Sequence, residues 1–113
     1  SCSQLLPWPD GRRFWIGNIS ETNPRGNSPR YPIVIGEVDP NTGLLIRDTV
    51  VPLDDRRADD DASLTLSNFY AREDRESGHL LLHLTRLFAQ SPTNESEKGN
   101  WTADALLYRV QLP

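Results

Sequence analysis

The apolar residues of this chain arrive in short, separated runs, and that spacing constrains the fold more than any other feature. Six segments are each rich in β-branched, Leu or aromatic residues and bounded by Pro, Gly, Asn or Asp. They are Arg12 to Gly17, Pro32 to Val38, Leu44 to Val51, Leu64 to Tyr70, His79 to Phe88 and Ala105 to Leu112. The pattern predicts six strands within 12–112, arranged as antiparallel hairpins, with residues 1–11 as a connector and no helix. His79 to Phe88 is Leu-rich enough to form a helix. The turn exit at Ser77-Gly78 and the preceding strand assign it to a hairpin instead.

Two turns are explicit. Asp39-Pro40-Asn41-Thr42-Gly43 puts Pro at the first corner and Gly where a positive φ is needed, and Asp74 to Gly78 closes in the same way. Between them Asp54 to Asp61 (DDRRADDD) reads as a solvated connector. A calcium loop is disfavoured there, because alternating oxygen ligands with a Gly turn are missing. Ser20 to Arg30 and Gln90 to Asn100 are long for hairpin connections, and long loops on a β scaffold often carry function. Strands joined only by loops point to a sandwich, a barrel or propeller blades. At about four strands per blade, six strands make about one and a half blades of a β-propeller.

With 113 residues the chain is a single domain at most, and one of this size buries only about two thirds of the surface its unfolded form exposes. The start at Ser1-Cys2-Ser3 and the lack of any Met suggest a processed product or part of something longer. A net charge of -4 argues against a nucleic-acid partner. Eleven of the twelve basic residues are Arg, which grips carboxylates and phosphates with paired hydrogen bonds, so anion recognition stays open beside a simple coding bias. Cys2 is the one cysteine, so no internal disulfide or Cys-based metal site is expected. No run approaches the ~20 apolar residues of a membrane helix.

Few motifs carry chemistry. His79 and His83 lie on one strand face but roughly 13 Å apart, too far to share a metal. No P-loop, dinucleotide fingerprint or nucleophile elbow occurs, and no cofactor is implied. Carboxylates are plentiful, but a glycosidase needs a facing pair, or a Tyr with a carboxylate, which spacing cannot reveal. The sequons at Asn18, Asn94 and Asn100 matter only in a eukaryotic secreted protein. Trp8, Trp15, Trp101, Tyr31, Tyr70 and Tyr108 read first as packing residues, with sugar stacking as the alternative.

At Gly17-Asn18, the loop to Arg30 and the strand Tyr31-Pro32-Ile33-Val34-Ile35, the sequence resembles the later blades of sialidase-like propellers, the six-bladed family with BNR or Asp-box repeats. The stretch Leu66 to Ala71, the turn Asp74 to Gly78 and the strand Leu80 to Arg86 follow the same layout, so the likeness covers about residues 12 to 110. The resemblance implies that residues 1–113 are the C-terminal part of such a propeller. It also implies that Asn18 and Arg30 are substrate-binding positions, with Arg30 one of three Arg that hold a substrate carboxylate. The family's nucleophilic Tyr aligns with Leu66, and the nearest Tyr is Tyr70, about 13 Å further along a strand. The turn at Asp39 also departs from a good Asp box.

On this likeness Tyr70 is the candidate catalytic nucleophile, and the chain is a fragment of an exo-glycosidase acting on an acidic sugar. The family's other Arg and its acid/base Asp have no counterpart here, so this segment alone is not expected to turn over substrate. A secreted or periplasmic setting is implied. The expected partners are a carboxylated carbohydrate and whatever covers the open strand edges, either the rest of the propeller or a neighbouring chain. The alternative readings are a non-catalytic module that binds carbohydrate or protein through its long loops, and a stray gene fragment that folds poorly.

Overall fold

The computed structural model describes residues 3–21, 29–89 and 104–113; residues 22–28 and 90–103, which include all of Gln90 to Asn100, lie outside them. The described chain is all-β, built from two antiparallel sheets and no α-helix. The first sheet has the order β1 (Gln4–Pro7), β2 (Arg13–Asn18), β3 (Ile33–Glu37), β4 (Val51–Asp54). The second has the order β5 (Phe69–Glu73), β6 (Leu80–Arg86), β7 (Asp104–Val110). Every strand pairs with its sequence neighbour within its own sheet, as consecutive elements usually do.

The two sheets meet through their period-2 faces. Phe14 and Ile16 of β2 share a face with Ile33 and Ile35 of β3, since Ile16 pairs with Ile35 and Phe14 with Glu37. They pack with Ala71, Leu80, Leu82 and Leu84 of the second sheet into one buried cluster. Leu64 and Leu66 complete it from the segment that joins β4 to β5. That segment is a stitch between the sheets. The Leu66 amide donates to the Arg30 carbonyl at 3.0 Å, and Thr65 exchanges backbone hydrogen bonds with Leu87 at 2.9 and 3.2 Å. A second stitch is a side chain: the Gln4 amide donates to the Ala71 carbonyl at 2.8 Å and accepts from the Ala71 amide at 2.9 Å. Gln4 thereby occupies a strand's place at the β5 edge.

Four expectations need correction. Residues 1–11 contain β1, because Trp8 to Arg12 is a tight turn: Gly11 takes φ 94°, Trp8 N donates to Arg12 O, and Asp10 accepts from the Arg12 amide. Leu44 to Val51 is not one strand. Leu45 bridges back to Val38, a 3-10 turn follows at Arg47–Thr49, and β4 starts only at Val51. Thr49 causes the break, since its hydroxyl donates to Ile46 O at 2.6 Å and accepts from Glu37 N at 2.8 Å in place of a ladder bond. Leu64 to Tyr70 is likewise split, because Thr65 serves the stitch while pairing with β6 begins at Phe69. Fourth, Asp54 to Asp61 is more than a solvated connector, as the site geometry makes plain.

The turns at Asp39 to Gly43 and Asp74 to Gly78 form as expected and share one design. Gly43 and Gly78 take φ of 70° and 76°, and each donates its amide to the Asp that opens its turn, at 2.8 Å. Each Asp side chain also accepts a backbone amide two residues on, from Asn41 and from Glu76, which is the Asx-turn geometry.

Candidate functional site

Asn18 closes β2 and is spent on the backbone around it. Its Nδ2 donates to the carbonyls of Arg30 and Pro32, both at 3.1 Å, and of Leu66 at 3.3 Å. One side chain therefore fastens the entry to β3 and the stitch segment to the end of β2. Its Oδ1 is buried without a hydrogen-bond partner. With the amide nitrogen engaged by backbone, Asn18 is unsuited to glycosylation in the folded chain, so its sequon is a structural coincidence. Asn94 and Asn100 lie outside the described residues.

Arg30 is held from both ends. Its carbonyl accepts from Asn18 and from the Leu66 amide, and its Nη1 donates to Ser67 Oγ at 3.2 Å. Ser67 is one of the few buried polar residues. The family resemblance gave Asn18 and Arg30 as substrate-binding positions, and the fold puts the Asn18 side chain against the Arg30 carbonyl.

Tyr70 stands apart from this contact. Its neighbours Phe69 and Ala71 turn toward the core, which leaves Tyr70 on the outer face of β5, 60% exposed. Its ring lies 6.4 Å from that of His83, its cross-strand partner. Arg72 Nε reaches His83 Nε2 at 3.4 Å from the next outward position. A shallow trough of about 620 Å³ joins the two regions, with Ser67, Asn68, Tyr70, His83, Thr85 and Leu107 among its walls. Arg30 is not one of its walls and reaches it through Ser67. Leu66, the position aligned with the family nucleophile, is fully buried in the core.

A second polar cluster escaped the sequence reading. Arg86 is buried, and its Nη1 donates to Asp54 Oδ2 at 2.6 Å, while its Nη2 is bonded to Asp60 Oδ2. The Tyr108 hydroxyl donates to the same Asp54 oxygen. The cluster joins the end of β4, the Asp-rich connector, β6 and β7. Burial opposes charge on Asp54, but the Tyr108 hydroxyl, the Asp55 amide and Arg86 outweigh it and hold the carboxyl below its usual value. Burial and then the Asp54 carboxylate push the Tyr108 phenol up to about 12. Arg86, despite burial, is raised above its ordinary value by Asp54 and Asp60. Such a Tyr is stabilised as the neutral phenol, which suits a structural donor and not a nucleophile. One signal for the cluster was present. Arg86 shares period-2 parity with Leu80, Leu82 and Leu84, so it had to face inward and needed carboxylates there.

Among the described residues no group of three or more His, Cys, Asp or Glu is placed to hold a metal ion. No family model, curated protein or solved structure matches this chain.

Proposed function

We propose that the chain is the closing part of a sialidase-like β-propeller and that it contributes Arg30 to a site for a carboxylated sugar. The single observation carrying this reading is the double anchoring of Arg30, by Asn18 and Leu66 at its backbone and by Ser67 at its guanidinium. A guanidinium fork binds a planar carboxylate through two parallel hydrogen bonds, and pre-orienting it lowers the ordering cost of binding. The blade reading is supported by the correspondence between the sheets. The opening strands β1 and β5 lie side by side through Gln4 and Ala71, and among the described residues the second sheet has one strand fewer, with β7 at its edge.

The test is titration of the longer parent protein with a sialic acid methyl glycoside and, separately, with its carboxyl methyl ester. The acid binds and the ester does not. Arg30→Ala weakens the acid by ~2 kcal/mol, about thirtyfold. Equal affinity for acid and ester, or an unchanged Arg30→Ala, overturns the proposal.

The outward setting of Tyr70 favours a second reading, in which the parent binds the sugar without cleaving it. Hydrolysis of a fluorogenic sialoside by the longer parent separates the two. Loss of turnover in Tyr70→Phe supports the exo-glycosidase, and turnover retained in that variant removes Tyr70 from catalysis.

A further inference from the structure

At the opposite end of the first sheet from Arg30 lies a cavity of about 400 Å³. That size falls within the range of roughly 300–1,000 Å³ typical of small-molecule sites. Phe14, Ile35, Val51, Val110 and Leu112 give it an apolar lining, and Glu37, Asp48 and Thr49 supply polar groups. Phe14 and Asn18 stand at the two ends of β2, about 13 Å apart along the strand. The cavity is therefore separate from the Arg30 region.

Glu37 is the residue that gives this cavity a chemistry. It pairs with Phe14 and follows Ile33 and Ile35 at period 2, so it belongs to the core-facing side of β3. A carboxylate in that position, half-buried among apolar side chains, is costly unless a cation or donors meet it. Among the described residues neither Glu37 nor Asp48 forms a salt bridge. Arg12 lies beside the cavity wall, its guanidinium 5.1 Å from the centre of the Phe14 ring. Arg12 is already neutralised by Asp10 at 2.7 Å and donates to the Pro113 carbonyl at 2.7 Å. The 3-10 turn that carries Asp48 is fixed beside Glu37 by the Thr49 hydroxyl. A half-buried carboxylate, Glu37, and an exposed one, Asp48, thus stand at the mouth of a preformed apolar cavity with no salt-bridge partner among the described residues.

We propose that this cavity is a binding site for an organic cation with a compact apolar body, whose ammonium or guanidinium head is received by Glu37 and Asp48. The apolar body lies against Phe14, Ile35 and Leu112. The head group supplies the charge partner that Glu37 lacks within the described fold. Neutral and anionic molecules of the same shape fit the walls but not the charge.

The experiment uses the whole chain with amide resonances followed by NMR, and three probes of one shape: phenethylamine, 2-phenylethanol and 3-phenylpropionate. Phenethylamine produces saturable shifts at Gly36, Thr49 and Val110 to Leu112. The alcohol binds about tenfold more weakly and the carboxylate more weakly still. Glu37→Gln, which keeps the side-chain shape, lowers the amine's affinity about tenfold and leaves the alcohol's unchanged. Asp48→Asn, on an exposed residue, gives a smaller loss in the same direction and guards against a folding defect in the first variant. Equal affinities for amine and alcohol, a preference for the carboxylate, or an amine affinity indifferent to Glu37→Gln each overturn the proposal.

Discussion

Replacing Arg86 by Met isolates the electrostatic part of the buried cluster, because Met keeps most of the aliphatic volume and removes the charge. The Arg86 side chain is 6% exposed, and its partners Asp54 and Asp60 are 13% and 11% exposed. Both carboxylates would be left in a poorly hydrated site, and stripping one partner from a buried ion pair costs about 3–5 kcal/mol. The Tyr108 hydroxyl and the Asp55 amide still bond Asp54, so the lower end, ~3 kcal/mol, is expected at neutral pH. The pH dependence adds a second signature. In the native chain the folded value of Asp54 lies below its unfolded one. Its stabilisation is therefore complete above about pH 4 and is lost as the pH falls through the folded value. In Arg86→Met the Asp54 carboxylate loses the Arg86 charge that offsets its burial, so the deficit shrinks as the pH is lowered from 7 toward about 4.5. Urea unfolding followed by tryptophan fluorescence at several pH values measures both effects. A loss below about 1 kcal/mol with the same pH slope in both proteins would show the cluster to be solvated and refute the reasoning.

Gln4→Ala removes both bonds to the Ala71 backbone and should cost about 1–3 kcal/mol, with faster hydrogen exchange at the Ala71 amide. Unchanged exchange there would mean that the side-chain stitch does not form in solution. Asn18→Asp should be more damaging than Asn18→Ala, since a carboxylate would face the three carbonyls that the Asn18 amide now serves. Thermal unfolding of the two variants gives the order. Because the Tyr108 phenol is raised to about 12, stability should fall as the pH rises from the ordinary tyrosine value of about 10 through that range. Tyr108→Phe should remove that alkaline loss, as ultraviolet titration and unfolding at pH 9 and about 11 would reveal.

Strands that pair locally and show clean alternation were legible in the sequence. β2, β3, β6 and β7 lie within a residue or two of the apolar segments that predicted them. Their hairpin turns are equally plain, because Gly43 and Gly78 take the positive φ that the pattern demanded. β1 was missed although Pro9-Asp10-Gly11 is a turn signature, since only Leu5 and Leu6 mark the strand before it. Leu44 to Val51 misled because its apolar density conceals Thr49, whose hydroxyl competes with the backbone for hydrogen bonds. For the site, the family resemblance named Asn18 and Arg30, but the hydrogen bond from the Asn18 side chain to the Arg30 carbonyl was not legible in the sequence. The outward direction of Tyr70 depends on where pairing restarts after the stitch, a one-residue matter of register that flips every side chain. The Arg86 cluster depends on a long-range approach of Asp54 and Asp60, which local patterning does not encode.

The stitch at Thr65 and Leu66 also sets how far apart the two sheets stand. One extended segment donates consecutive amides to Leu87 and to Arg30, so at that end the spacing between sheets equals two strand-to-strand intervals, about 4.8 Å each. At the other end Phe14, Ile35, Val110 and Leu112 line a cavity, with the exposed bond from Arg12 to Pro113 beside it. Side-chain packing has no such fixed increment. The distance between the sheets is therefore set by backbone hydrogen bonds beside Arg30, whereas beside Glu37 it is set by the side chains that line the cavity.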